Sequence, residues 1–294
     1  MSDATYLVYG DIGGHYDALV TSLAKDAKMT GLEIPAGTVI VQLGDLIHKG
    51  PDSDQLVAFV DAVMDLNNED PSRGTWIQMM GNHESQYILA HPQSPFKIPQ
   101  GIWFWNDVID HDSILTLWKW WGTGRLQSHL VVDDRKLGKV LITHAGVGYY
   151  FMSTVLGRGF DDLPVSIDDL QEFSRVVTGM DEIHPLHLAA PGLMITGSVN
   201  LAAGFIWAES TNEVYASWEG IEMPFSQIHG HSSPMEWGRQ RMRSTVPSYL
   251  ADRIQVDYRK HHTSFFWGRS SFTGIDPGFA GRAPWSVSPL VLRS

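Results

Sequence analysis

The chain has 294 residues, of which 43% are hydrophobic and 18% are charged, a balance typical of a globular protein with a sizeable core. A formal charge of -12 argues against extended binding to nucleic acid, because the phosphate backbone attracts basic surfaces. The absence of cysteine excludes disulfides and thiolate metal sites, so any metal must bind to His, Asp, Glu or Asn. The N-terminus lacks a secretory pattern and no apolar run is long enough for a membrane span, so we expect a cytoplasmic protein without membrane contacts.

The first ninety residues repeat one pattern, in which an apolar β-rich run leads to a glycine turn and then to a helix-like stretch. The runs TYLVYGD, TVIVQLGD and TWIQMMGNHE predict three strands, which lead to Asp11, Asp45 and Asn82. Apolar spacing predicts helices over residues 16–29 and 54–66. This order is typical of βαβ units, and ligands of open α/β sheets bind beyond the carboxyl ends of the strands. The three polar residues are therefore candidates for one shared site.

Residues 91–129 break this pattern. They contain a Pro-rich run and five of the 11 tryptophans, namely Trp103, Trp105, Trp118, Trp120 and Trp121. We interpret the region as a helical insertion or cap, whose aromatic side chains either form the core of a subdomain or face a substrate or partner. No repeat or linker divides the chain, so we expect a single domain over residues 1–294.

Two later runs also end in histidines. KVLITHAG predicts a strand that leads to His144, and PFSQIHGHSSP predicts another that reaches His231. His229 lies on the same face as His231 if this run is extended, and it either neighbours the site or is a strand-end histidine bonded to backbone. The runs RIQVDY, SFFWGR and WSVSPLVL predict closing antiparallel strands, with IDPG as a turn before the last.

The motifs gain specificity from their order along the chain. The succession is GDIGGH at 10–15, GDLIHKGPDS at 44–53, GNHE at 81–84, THAG at 143–146 and GH at 230–231. It resembles the calcineurin-like metallophosphoesterase superfamily, and the PDS ending and HAG turn are most similar to its bacterial branch of serine/threonine protein phosphatases and diadenosine tetraphosphate hydrolases. The resemblance implies an α/β fold, a four-layer sandwich of two mixed β-sheets flanked by helices.

The resemblance also implies two divalent metal ions, with manganese favoured and iron or zinc as alternatives. The implied ligands are Asp45 as the bridge, Asp11 for the first ion, Asn82 and His144 for the second, and His231 for one of the two. A metal-activated hydroxide would hydrolyse a phosphoester or phosphoanhydride, and His83 would protonate the leaving oxygen as general acid. The substrate would be a phosphorylated small molecule, a nucleotide or a phosphoprotein.

Three positions depart from the family pattern. Gly13 stands where the family has a metal-binding His, and His15 either takes over as ligand or caps the following helix. His48 and Lys49 stand where the family has Asp and Arg. His48 could still hydrogen-bond His83, and Lys49 would supply a point charge for phosphate without bidentate geometry. These changes favour an alternative function, a catalytically weakened relative that acts as a metal- or nucleotide-binding regulatory module.

Other residues are candidates for the missing positive charge. They are Arg73, Arg125 and Arg158, each of which is alternatively an ordinary solvated side chain. The run FIWAES places Glu209 where the family often has a second phosphate-binding Arg.

Overall fold

The computed structural model describes residues 4–90, 108–159, 165–183, 188–278 and 287–294. Its strands are β1 (Thr5–Tyr9), β2 (Thr38–Gln42), β3 (Thr75–Met79), β4 (Leu126–Gln127), β5 (His129–Asp134), β6 (Gly138–Thr143), β7 (Ser226–His229), β8 (Met235–Glu236), β9 (Arg241–Met242), β10 (Ile254–Asp257), β11 (His262–Trp267), β12 (Ser270–Gly274) and β13 (Leu290–Arg293). Its α-helices are α1 (Tyr16–Ser22), α2 (Ser53–Asn67), α3 (Asn82–Ser85), α4 (His111–Gly122), α5 (Tyr149–Val155), α6 (Ile167–Ile183), α7 (Leu193–Thr196) and α8 (Ser248–Ala251). Turns of π-helix continue α1 over Leu23–Ala27 and α3 over Gln86–Ala90, and another spans Ser210–Tyr215.

The chain divides into two compact units. Unit 1 comprises Met1–Gln127 with Phe279–Ser294, and unit 2 comprises Ser128–Gly278. The expectation of a single domain stays a prediction. No helix among the described residues is both long and apolar enough to cross a membrane.

Unit 1 is built on a five-stranded sheet in the order β13-β1-β2-β3-β4. Strands β1 to β4 pair in parallel, whereas β13 is antiparallel to β1. The last three residues of β1 and of β2 are buried, as expected for strands rich in Val and Ile within a parallel sheet. Because parallel strands end at the same edge, the segments that follow β1, β2 and β3 all leave the sheet on that edge. The predicted strands and the helices after β1 and β2 are confirmed.

Helix α4 supplies part of the core of unit 1. The side chain of Trp120 is fully buried, and its Nε1–H donates to Asp61 Oδ1 of α2 at 2.7 Å. Trp118 Nε1–H donates to the carbonyl oxygen of Tyr87 at 2.8 Å. These two tryptophans therefore pack within the unit. Residues 91–107 of the expected Trp-rich insertion lie outside the described residues, and the insertion stays a prediction.

Unit 2 is built on a six-stranded sheet in the order β10-β11-β12-β7-β6-β5. Its central strands β6, β7 and β12 pair in parallel, and the outer strands are antiparallel. Tyr215 packs on β11 and β12, with its ring centroid 5.3 Å from Phe265 and 4.6 Å from Phe272. Because β6 and β7 are parallel, the residues that follow them leave the same edge of the sheet.

The two mixed sheets and their helices confirm the expected α/β fold class. Strand β12 is not among the predicted elements, because its sequence SSFTG carries no regular apolar alternation. The last predicted strand exists as β13 and is antiparallel as expected, with β1 of unit 1 as its partner.

Candidate metal centre

Glu84 organises the turn that follows β2. Its carboxylate is fully buried and accepts N–H groups from Asp45 at 2.8 Å, from Leu46 at 2.8 Å and from Gly81 at 2.9 Å. Burial and the neighbouring Asp45 charge raise the pKa of the Glu84 carboxyl, and the backbone donors oppose this rise. Glu84 thus ties the Asp45 turn to the start of α3. Sequence reasoning missed this role, although Glu84 ends the GNHE motif.

The Asp45 turn has a strained backbone. Asp45, His48 and Lys49 all have positive φ angles, of 52°, 67° and 65°. Such angles disfavour residues that carry a Cβ, by roughly 1 to 2 kcal/mol each. Hydrogen bonds to the turn after β1 offset this cost, since Gly13 N–H donates to Asp45 O at 2.7 Å and Gly50 N–H donates to Gly13 O at 2.8 Å. The two turns are therefore joined main chain to main chain.

This joining brings two carboxylates of unit 1 close to one cation. The side chain of Asp11 is 1% exposed and that of Asp45 is 2% exposed. Lys49 Nζ lies 3.7 Å from Asp11 Oδ2 and 3.4 Å from Asp45 Oδ2. Asn82 is also buried, at the first position of α3. Carboxylate and amide oxygens suit divalent cations such as Mn²⁺, so the donor chemistry of these side chains fits a metal ion.

The side chains of His83, His48 and Tyr87 form a hydrogen-bonded chain. The backbone N–H of His83 donates to Asp45 Oδ1 at 3.1 Å, and its Nε2 lies 3.5 Å from Asp45 Oδ2. His83 Nδ1 is 2.7 Å from His48 Nδ1, and His48 Nε2 is 2.7 Å from the hydroxyl of Tyr87. The expected contact between His48 and His83 is therefore present. Sequence reasoning missed Tyr87, which lies four residues after His83 on the same continuous helix.

Two imidazoles converge at the sheet edge of unit 2. His144 follows β6 and His231 follows β7, and both are buried. Their ring centroids are 5.0 Å apart, and one ring nitrogen of His144 lies within 4.8 Å of one ring nitrogen of His231. Gly230 N–H donates to the carbonyl oxygen of His144 at 2.7 Å, which ties the two turns together. A pair of buried imidazoles in this arrangement fits an N-donor site for a transition metal.

His229 is a structural residue of β7. Its Nδ1–H donates to Gly230 O at 3.0 Å, and its Nε2 lies 2.7 Å from the hydroxyl of Tyr215. Since a carbonyl can only accept, Nε2 is the acceptor for the tyrosine O–H. Burial lowers the pKa of His229, which agrees with a neutral ring. Of the two sequence-based alternatives, the structure shows the strand-end histidine bonded to backbone.

The remaining candidates have structural partners. Arg73 pairs with Asp70 at 3.0 Å, Arg125 pairs with Asp65, and Arg158 pairs with Asp169. Glu209 caps the π-helical turn that begins at Ser210, because its side chain accepts the N–H groups of residues 211 and 212.

His15 is the residue that precedes α1, but its side chain makes no capping hydrogen bond to that helix. Burial lowers the pKa of the His15 ring, and Asp52 opposes this shift. A Cβ atom added at Gly50 would lie 2.8 Å from His15 Cε1, so the ring packs against the main chain of the Asp45 turn. The helix-cap alternative is therefore not what the structure shows, and a ligand role for His15 stays a prediction.

The chain belongs to the calcineurin-like phosphoesterase family, whose model matches residues 4–184. This membership confirms the assignment to the metallophosphoesterases, which are phosphoric ester hydrolases. Among curated proteins, the chain is 34% identical over 91 residues to a zinc-dependent endopolyphosphatase of Saccharomyces cerevisiae. That match covers 31% of this chain and 24% of the yeast protein, so it spans less than two thirds of the relative.

Two solved structures are also similar. A mutant of a cold-active protein tyrosine phosphatase aligns with 96% of this chain and 73% of its own, at 13% identity and a TM-score of 0.50. A protein serine/threonine phosphatase of Saccharomyces cerevisiae aligns with 99% of this chain and 80% of its own, at 10% identity and a TM-score of 0.43. The likeness to the tyrosine phosphatase shows a shared fold alone.

Proposed function

We propose that this chain is a metal-dependent phosphoesterase that hydrolyses a phosphoester or phosphoanhydride. The observation that carries the proposal is the pair of buried carboxylates, Asp11 and Asp45, beyond the ends of adjacent parallel strands in unit 1. Lys49 supplies one positive charge against these two buried carboxylates, so a negative charge is left to balance, and a metal-binding role explains their position. Asn82 adds a neutral oxygen donor at the start of α3.

We further propose that the two buried histidines of unit 2, His144 and His231, are metal ligands, as the family resemblance implies. The ligand set is Asp11, Asp45, Asn82, His144 and His231, with His15 as a further candidate. Family membership supports this grouping. Manganese is favoured, iron is an alternative, and the name of the yeast relative adds support for zinc. A bound divalent ion would lower the pKa of a water molecule and neutralise phosphate oxygens.

His83 has the geometry of a proton donor in this proposal. Its Nδ1 contacts His48, and its Nε2 lies 3.5 Å from Asp45 Oδ2, so Nε2 is the nitrogen on the side of the carboxylates and would protonate the leaving oxygen. Lys49 provides positive charge beside the same carboxylates and would hold a phosphate oxygen without the paired donors of an arginine. The chain's own residues thus supply the proton and part of the charge that phosphoryl transfer requires.

The substrate class is a phosphorylated small molecule, a nucleotide or a phosphoprotein, and polyphosphate joins this list because of the yeast relative's name. Hydrolysis of p-nitrophenyl phosphate, bis(p-nitrophenyl) phosphate, diadenosine tetraphosphate and polyphosphate should be measured with added Mn²⁺ or Zn²⁺. We expect turnover of at least one substrate that is lost on chelation. The His83→Asn variant should lower kcat by about 100-fold or more on phenyl phosphate, whose leaving oxygen needs a proton. Asp133→Asn, a variant of an exposed residue, is the control and should behave as wild type.

The alternative is a regulatory module that binds a metal or a nucleotide without catalysis. Stoichiometric metal binding with no turnover of any of the four substrates would refute the enzyme and favour this module. The cytoplasmic location stays a prediction in either case.

A further inference from the structure

We infer that the ammonium group of Lys49 takes the place of one of the two metal ions that the family resemblance implies, so that this chain binds a single divalent ion. The inference rests on the proposed function, because it concerns the composition of the same centre. It also gives a physical role to a residue that departs from the family pattern. All the residues that carry it lie in unit 1.

The first observation is the position of the charge. Lys49 Nζ lies 3.4 Å from Asp45 Oδ2 and 3.7 Å from Asp11 Oδ2, so one cation faces both carboxylates. The lysine side chain is only 20% exposed, and the two carboxylates are almost completely buried. Charges in such surroundings are weakly screened. The ammonium therefore balances one of the two negative charges, and a metal ion bound to the same two oxygens would meet a second positive charge at close range.

The second observation is how Gly13 makes room for this lysine. A Cβ atom added at Gly13 would lie 3.3 Å from Lys49 Cδ and 3.5 Å from Lys49 Cβ. The aliphatic stem of Lys49 thus packs over Gly13, and a side chain at position 13 would press on it. The resemblance puts a metal-binding His at this position. Glycine at position 13 therefore lets the stem of Lys49 lie in its present place, and the loss of an imidazole ligand and the gain of an ammonium group concern neighbouring positions of the fold.

The third observation is that the backbone fixes the direction of this side chain. Lys49 and its neighbour His48 both have positive φ angles. On one side, His48 N–H donates to Ser53 Oγ at 2.8 Å, and on the other, Gly50 N–H donates to Gly13 O at 2.8 Å. The strained backbone at Lys49 is therefore held by hydrogen bonds on both sides, so this turn is not a loose surface loop.

The exchange has a chemical consequence. A lysine can balance the charge of a carboxylate and attract a phosphate oxygen. Unlike a metal ion, it cannot bind a water molecule as a ligand and so lower the pKa of that water. The remaining metal ion would then keep Asp45 and Asn82 among its ligands. Asp11 would hold the ammonium group in place instead of binding a metal ion, which narrows the proposed ligand set by one residue.

Metal stoichiometry tests the inference without reference to activity. The full chain is saturated with Mn²⁺ or with Zn²⁺, excess ion is removed, and bound metal is counted by native mass spectrometry and elemental analysis. We expect one ion per chain in the wild type and still one in Asp11→Asn, because Asp11 is paired with Lys49. Lys49→Met should bind a second ion, which the double variant Lys49→Met with Asp11→Asn should lose. Lys25→Met, at a lysine that is 70% exposed, is the matched control and should bind one ion.

Each other outcome has a distinct meaning. Two ions in the wild type, falling to one in Asp11→Asn, would overturn the inference and leave the proposed function intact. A folded Lys49→Met chain that binds only one ion would also overturn it. If circular dichroism shows that Lys49→Met is unfolded, Lys49→Arg serves in its place: it keeps the positive charge and should retain one ion, and a second ion in it would contradict us. A wild type that binds no ion and hydrolyses nothing would refute the proposed function itself.

Discussion

Replacing Glu84 by Gln should destabilise the protein severely, because the new amide cannot serve the donors that the carboxylate serves. One carboxylate oxygen accepts from Asp45 and Gly81, and the other accepts from Leu46 and, at 3.4 Å, from Ile47. Glutamine retains one oxygen for one pair of donors and places an NH₂ group against the other pair. Each buried donor without an acceptor costs about 1 to 3 kcal/mol. Relief of a buried negative charge offsets part of this cost, so we expect a net loss of about 3 kcal/mol.

Urea unfolding followed by circular dichroism measures this loss. Glu172→Gln is the matched control, since that carboxylate lies on the exposed face of α6 and pairs with Arg175. It should change the free energy of unfolding by less than about 0.5 kcal/mol. If Glu84→Gln were as stable as this control, the backbone donors around Glu84 would not depend on its charge, and the proposed tie between the Asp45 turn and α3 would be refuted.

Three further changes test other parts of the structure. Burial lowers the pKa of His129 from 6.5 to about 4, so the stability that its neutral ring contributes is complete above pH 6.5 and is lost as the pH falls through 4, by about 3 kcal/mol. The urea midpoints of His129→Gln should lack this step, and an unchanged pH profile would contradict the assignment. Tyr87→Phe removes the hydroxyl beside His48 and should slow phenyl phosphate hydrolysis about 10-fold. It should have little effect on p-nitrophenyl phosphate, whose leaving group needs no proton, and equal effects on both substrates would exclude a role for Tyr87 in positioning His83 through His48. Gly14→Ala should lower the free energy of unfolding by about 3 kcal/mol or more, since its Cβ would lie 2.6 Å from Gly50 O, whereas Gly31→Ala, with a similar φ and open space around it, should cost about 1 kcal/mol. Thermal melts that show equal losses for the two variants would argue against close packing of the turns.

The sequence was informative where a strand and a polar residue are neighbours in the chain. β1, β2 and β3 are apolar runs, and each leads directly to Asp11, Asp45 or Asn82, so both the strands and the edge on which these residues lie could be predicted. The contact between His48 and His83 followed from the family pattern. Parallel pairing explains why local patterns sufficed here, because it brings consecutive strand ends to one edge.

The sequence was less informative where a role depends on atoms distant in the chain. Glu84 accepts N–H groups that lie 37 to 39 positions earlier, and no pattern of residue types announces such a partner. Tyr87 acquires its role only through the position of His48 on another turn. The packing of Lys49 over Gly13 likewise requires the main-chain hydrogen bonds between the two turns.

The pairing of β13 with β1 has a consequence for synthesis on the ribosome. Thr5 pairs with Arg293, so the outer side of β1 lacks this partner strand until residues 290–293 have been made. Residues 128–278 form a continuous unit, which can complete its sheet while β1 still presents unpaired backbone groups. An open strand edge on a nascent chain is a template for aggregation. Production of this protein should therefore depend on slow elongation or on chaperones more strongly than its size suggests, and loss of Leu290–Arg293 should yield insoluble material.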